Sequence, residues 1–450
     1  MIRLTWAQPE DLVAHSIAAR RLDGCDVDAI ADRWAAAGGS LEAPYSGATA
    51  EPATPAQQTL ARLLLAELDA VQVPEPLRVA EPDELEAIER LATGGHQGSA
   101  PADLTDRVHG GWLGRAAGCL LGKPVEKLSR EGIRAIAEST GNWPVRRYFT
   151  ADGLDPDLAA VYPWNRASRT TSLAENIAGM PEDDDLNYAL LALALVERHG
   201  DAVTTDDVAL AWLDLLPAKR VFTAERIAYR NLLDGYEPDI AGAVANPFQD
   251  WIGAQIRTDV YGWVCPGEPR QAAALAWCDG LLSHRRSGLY GAMFVAAATS
   301  AAVTSTTVDE CLATGLSVIP PGSRYAAAVR RGMDLAASGL DDESAIDELY
   351  SEFGHLHWVH SLNNSALLAF ALARSSGDLA TAITTCVSAG WDTDSTGATA
   401  GSICGALAGA AALPAEWIDP LANRLATTIA GFDGIGFDEL ARRTVAARLS

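Results

Sequence analysis

Gly390-Trp391-Asp392-Thr393-Asp394-Ser395 is the stretch whose reading decides the fold. Two carboxylates and a hydroxyl fall close together, and Gly397, Gly401, Gly405 and Gly409 then recur at every fourth position of an apolar run. Residues four apart share a helix face, so these glycines make a stripe without side chains that another element can approach closely. A glycine in a helix interior costs roughly 0.8 to 1 kcal/mol relative to alanine, so a register of them needs a compensating gain in packing. No charged side chain occurs from Ser395 to Ala415. The stretch therefore reads as a buried helix with acids at its mouth.

Two other segments repeat parts of this design. In Val108 to Glu126, Gly110, Gly111, Gly114, Gly118 and Gly122 recur at close spacing, and the segment closes with Lys123-Pro124-Val125-Glu126, a second glycine-faced helix ending at a carboxylate. Pro181-Glu182-Asp183-Asp184-Asp185 precedes the charge-free run Leu186 to Val196. The helix macrodipole favours acids at an N-terminus by roughly 0.3 to 1 kcal/mol each, which accounts for one or two carboxylates. It does not account for successive acids beside a helix buried all round, where unpaired charge is expensive and carboxyls take up protons or bind a cation.

If both acid-headed helices sit in one core, Asp183, Asp184, Asp185, Asp392 and Asp394 face one another, with Ser395 as a neutral oxygen. Carboxylates so placed repel unless cations intervene. Oxygen-only ligation selects a hard ion, Mg²⁺ first, with Mn²⁺ and Ca²⁺ as alternatives, and the acid count suits two bridged ions. Helix capping plus surface charge is the competing reading.

From about Val108 to Gly409 the chain resembles the ADP-ribosylglycohydrolase family. The family's Gly-Gly-Asp-Thr-Asp-Thr signature is matched by Gly390 to Ser395. Its Thr-Asp-Asp-Thr signature falls on Asp183-Asp184-Asp185-Leu186, and its Gly-Asp-Ala-Leu-Gly-x-x-x-Glu element on Gly118 to Glu126. A weaker element, Gly-Asn-Gly-Ala-Ala-Met-Arg, lands on Ile252 to Arg257. The resemblance implies an all-helical fold around a dinuclear magnesium centre. Asp184, Asp185, Asp392 and Asp394 would be ligands, Ser395 would stand for a ligating threonine, and Asp183 would replace another threonine with an added charge. It further implies hydrolysis of a ribosyl glycosidic bond, with Glu126 and Asp185 as the candidate catalytic groups and Trp391, Arg257 and Asn364 as candidate substrate contacts. Cys119 stands where Asp is usual, Leu186 removes a hydroxyl, and Trp391 puts a large ring where glycine is usual.

The substrate would be an ADP-ribosylated protein or an ADP-ribose-type small molecule. A small ribosylated metabolite or nucleoside is the alternative, with Trp391 narrowing the pocket or stacking on a base. A noncatalytic binding or structural protein retaining the fold is the reading in a different class.

The rest of the chain bounds these expectations. Alanine-rich apolar segments broken by charged faces favour helix over strand, so the fold class is all-α, a compact multi-helix bundle. A formal charge of −25 argues against a nucleic-acid partner, since no basic stripe displaces counterions. Seven cysteines without a Cys-x-x-Cys pair suggest reduced thiols in the cytoplasm. The N-terminus resembles neither a signal nor a transit peptide, and no apolar stretch suits a membrane span. Residues 1–100 read as a helical extension or cap, with a soft boundary at Gly94-Gly95-His96-Gln97-Gly98-Ser99, and residues 101–450 as the main domain. Asn142 to Thr171 is long and irregular, either a binding loop or a surface crossing anchored by aromatics. His284 reads as a cap or core contact. For His355, His357 and His360 both transition-metal ligation and polar lining of a pocket fit, but no His-Glu-x-x-His pattern and no nearby cysteine supports the metal. The Gly-x-x-x-Gly strings lie in helices, where they signal packing rather than a cofactor.

Overall fold

The two glycine-faced segments form the helices Leu104–Gly122 and Thr393–Ala408, which pack antiparallel along their stripes in the most extensive helix contact of the chain. A methyl group at Gly114 would lie 2.0 Å from the Gly401 carbonyl oxygen, and one at Gly401 would lie 2.0 Å from the Gly114 carbonyl oxygen. Gly110 meets Gly405 and Gly118 meets Gly397 in the same way, and Gly122 abuts the backbone of Thr393. Two helix backbones can touch only where no side chain separates them, so the stripes fix the register. That register brings the C-terminal end of the first helix, with Lys123 and Glu126 just beyond it, to the N-terminal acids of the second.

The computed structural model describes residues 3–49, 51–94 and 98–449, and among these the fold is all-α. The described residues form no extended strand, only isolated bridges such as Met180 with Leu425. Around the glycine pair stand the helices Asp184–His199, Arg286–Ala302, Ser361–Ser375 and Leu379–Ala389, and Pro269–Leu281 packs on Arg286–Ala302. Arg286–Ala302 is buried along its whole length, as expected of the charge-free run there. No helix among the described residues is long and apolar enough to cross a membrane.

The N-terminal segment folds into the helices Pro9–Leu22, Asp28–Ala36, Pro55–Ala70, Glu75–Ala80 and Leu85–Leu91. Pro55–Ala70 opens on a capping box, in which the Thr54 hydroxyl accepts from the Gln57 amide and the Gln57 side chain accepts from the Thr54 amide. These helices share one hydrophobic core with the rest of the chain. Trp6 packs edge-on against Phe248 and Trp251, with ring centroids 5.5 and 5.7 Å away. Ion pairs add to the junction: Arg286 lies 2.9 Å from Asp23, and Arg324 lies 2.8 Å from Glu81. Of the boundary read at Gly94 to Ser99, Gly95, His96 and Gln97 lie outside the described residues.

Candidate active site

Three segments meet in one cavity of 510 Å³, which is lined by Glu126, Asp183, Asp184, Asp392, Asp394 and Ser395 among others. Asp183 is the N-cap of the Asp184–His199 helix and accepts from the Asp185 amide at 2.9 Å, so the capping reading holds for this acid. Asp392 occupies the N-cap position of the Thr393–Ala408 helix, but its side chain caps nothing. The turn before it runs through Gly390 at φ +88° and Trp391 at φ +60°. Thr393 and Thr396 are spent on backbone: Thr393 donates to the Gly122 carbonyl at 2.9 Å and Thr396 to the Asp392 carbonyl at 2.7 Å. Asp392, Asp394 and Ser395 are thereby left to the cavity.

The cavity holds an excess of negative charge, and the carboxyls show it. Burial first, then Asp183, Asp394 and Glu126, push Asp184 far above the usual carboxylate range. Asp392 is driven the same way by burial, Asp394 and Glu126. Asp394 is pushed up to about 7 by burial, then by Glu126 and Asp183. Asp183 departs in the opposite direction. Burial would raise it, but the Lys123 ammonium in contact with it outweighs burial and holds it low. Glu126 accepts from Asn165 Nδ2 at 2.6 Å and lies 3.2 Å from Lys127 Nζ.

Four expected site residues, Asp185, Arg257, Asn364 and Trp391, do not line this cavity. Asp185, 1% exposed, stands behind the cavity wall with its carboxyl turned toward the first glycine helix. Its carbonyl accepts from Arg115 at 2.8 Å, and Cys119 Sγ lies 3.6 Å from its carboxyl. Neighbouring helix positions point in different directions, so the acids of one run cannot all face one cavity. Cys119, Asp183 and Asp185 each offer a donor atom within 4.8 Å of the others, a buried group able to hold a metal. Arg115 beside Asp185 and Lys123 on Asp183 already supply positive charge there. Arg257, expected to meet substrate, is fully buried in the core. It bonds Glu225 at 2.7 Å, Asp279 at 2.5 Å and Ser283 at 2.9 Å, and so positions Glu225, which does line the cavity.

Asn364 is also buried. Its amide donates to the carbonyls of Trp358 and His360, and its side-chain oxygen accepts from the Asp392 amide at 3.2 Å, so it positions the acid rather than facing the cavity. Trp391 turns away from the acids. Its indole stacks on Tyr350 with centroids 4.5 Å apart and lines a second cavity of 710 Å³. That cavity is walled by the Pro9–Leu22 helix, Tyr45, Trp251 and the three histidines His355, His357 and His360. His357 stacks on Trp251 at 4.3 Å and His360 caps the Ser361–Ser375 helix, which is the pocket-lining reading. His284 is a core residue whose Nδ1 bonds Ser283. Trp358 borders both cavities.

Lys123, Lys127, Asn165 and Glu225 were not legible as site residues. Lys123 carried a signal, since a lysine directly after a buried glycine-striped helix must meet an acid nearby. Asn165, Ala167, Ser168 and Thr171 bring the irregular 142–171 segment to the cavity wall, in agreement with its binding-loop reading.

A family model described as ADP-ribosylglycohydrolase matches residues 100–449. Among solved structures, a chain titled "ADP-ribosylglycohydrolase-related protein complex" is similar to this one at 21% identity and a TM-score of 0.47, over 78% of this chain and 100% of that chain. No curated protein matches the sequence.

Proposed function

Because the chain belongs to the ADP-ribosylglycohydrolase family, whose members hydrolyse glycosidic bonds, we propose that it cleaves a ribosyl glycosidic bond in the carboxylate cavity with the help of Mg²⁺. The observation that carries this reading is the convergence of Glu126, Asp184, Asp392, Asp394 and Ser395, from three separate segments, on one cavity. Asp184, Asp392, Asp394 and Ser395 would hold the metal, with Mn²⁺ as an alternative ion. A bound divalent ion supplies positive charge that fixes ribose hydroxyls and makes a water more acidic. Glu126 is positioned by Asn165 and Lys127 to take a proton from the attacking water, and it can return that proton to the leaving group. Trp6, Phe222 and Trp358 add apolar surface to the cavity wall.

The substrate is an ADP-ribosylated protein or an ADP-ribose-type small molecule, with a ribosylated metabolite or nucleoside as the other candidate. Residues 1–100 act as a cap: Trp6 lines the carboxylate cavity and Tyr45 the neighbouring one. The test is release of the leaving group from ADP-ribosyl-arginine, ADP-ribosyl-serine, O-acetyl-ADP-ribose and simple nucleosides. The wild type turns over at least one of them in Mg²⁺ and none in excess chelator. Asp392→Ala and Asp394→Ala abolish turnover, and activity retained in both variants sinks the proposal.

A further inference from the structure

We propose that Lys123 is a built-in cation that takes the place of one metal ion, so that the carboxylate cavity binds a single divalent ion rather than a pair. This rests on the metal-dependent reading above and departs from the dinuclear site that the acid count suggested.

The glycine register sets the argument. Because Gly122 abuts the backbone of Thr393, the next residue of the first helix enters the acid cluster directly. Lys123 is buried, its ammonium is in contact with the Asp183 carboxyl, and it also donates to the Glu182 carbonyl at 3.2 Å. Among the acids that line the cavity, Asp183 is therefore paired with Lys123, Glu126 is held by Lys127 and Asn165, Glu182 pairs with Arg220 at 2.8 Å and Glu225 with Arg257 at 2.7 Å. Asp185 lies behind the wall beside Arg115. Asp184, Asp392 and Asp394 remain, and among the described residues no cationic side chain pairs with them; the backbone amide of Ser395 bonds Asp394 at 3.1 Å. These carboxylates with the Ser395 hydroxyl form an oxygen set for one hard ion, waters completing its shell.

A second ion would need Asp183, Glu126, Glu182 or Glu225, and each is already committed to an ammonium or guanidinium group. It would also sit a few ångströms from a buried positive charge. Like charges about 4 Å apart at an effective dielectric of about 20 weaken binding on the order of 10³-fold or more. Removing the ammonium while keeping the length of the side chain should reopen that position.

The experiment loads the full chain with Mn²⁺ after chelation and measures bound metal by equilibrium dialysis with elemental analysis, and the electron paramagnetic resonance spectrum alongside. The wild type is expected to bind one Mn²⁺ per chain with the signal of an isolated ion. Lys123→Met is expected to bind two, with the broadened signal of a coupled pair, and Lys123→Arg to bind one. Two tightly bound ions in the wild type overturn this inference and leave the metal-dependent hydrolase standing. No bound ion in the wild type overturns both. Circular dichroism checks that Lys123→Met is folded; a folded variant that still binds one ion also overturns the role of Lys123. The wild-type stoichiometry decides the matter even if that variant does not fold.

Discussion

Two of the acid clusters in this fold differ in how their charge is met. Asp23, Glu81 and Asp250 lie where the N-terminal helices meet the rest of the chain, and Arg286 and Arg324 thread between them. Arg286 reaches Asp23 at 2.9 Å and Asp250 at 2.5 Å, and Arg324 reaches Asp23 at 3.2 Å and Glu81 at 2.8 Å. Burial alone would lift Asp250, but Arg286 and then Arg324 hold it down at about 2. In the carboxylate cavity, burial and neighbouring acids push Asp394 up to about 7. Asp250 and Asp394 depart in opposite directions because Arg286 pairs with the first, whereas among the described residues no cationic side chain pairs with the second; Asp23, beside Asp250, is still raised by burial and by that neighbouring acid. A cluster closed by its own arginines is structural. One left short of positive charge is poised for a cation from solution.

The largest effect should come from opening the closed cluster. Arg286→Met leaves Asp23 and Asp250 buried without their shared partner, and breaking such a pair costs about 3–5 kcal/mol. Urea unfolding of the metal-free protein measures it. A loss well under 1 kcal/mol would mean that the junction is already solvated, and the contrast between the clusters would collapse.

Neutralising one acid in each cluster should change stability in opposite directions. The folded-state pKa of Asp394 lies above the unfolded value near 3.8, so the native protein binds the extra proton between the two. In chelator, the wild type should therefore lose stability relative to Asp394→Asn as pH rises from about 4 to 7, and stay lower above that. Asp250 has a folded value below the unfolded one, so it contributes stability above about pH 4 that is lost as pH falls toward 2. Near pH 8, Asp394→Asn should be the more stable partner of its pair by on the order of 4 kcal/mol, and Asp250→Asn the less stable by on the order of 2 kcal/mol. Thermal melts of each variant against wild type across pH read both curves. Saturating Mg²⁺ should reverse the first difference and leave the second alone.

Much of this was legible in the chain. Glycines at every fourth position and acids heading charge-free runs are periodic signals carried by neighbouring residues, and they located both glycine helices and most of the cavity acids. What escaped depends on distant partners. Arg257 sits in a Gly- and Trp-rich stretch that resembles a binding element, yet the acids that bury it, Glu225 and Asp279, lie 32 and 22 residues away in sequence. Asp185 is next to Asp184, but one step around a helix turns it to the other side of the wall. The role of Lys123 follows from which glycine meets which, a register that spacing within either helix alone does not give.

Trp391 should give the smallest effect, and it tests whether the geometry of the open cluster depends on its own neighbours. Its φ of +60° is a left-handed conformation that costs a residue with a side chain about 1–2 kcal/mol and that glycine adopts freely. Trp391→Gly relieves that strain. It also gives up the stacking on Tyr350 and part of the wall of the larger cavity, and adds backbone entropy to the unfolded chain. These terms oppose one another, so the net change in stability should stay within about 1 kcal/mol of zero. Asp392 is anchored independently of the indole, because its amide donates to Asn364 and its carbonyl accepts from Thr396. Metal affinity should therefore change less than threefold, while any effect on turnover appears in KM, through the enlarged cavity beside the acids. A large loss of Mn²⁺ binding in Trp391→Gly would instead mean that the indole sets the turn on which the open cluster is built.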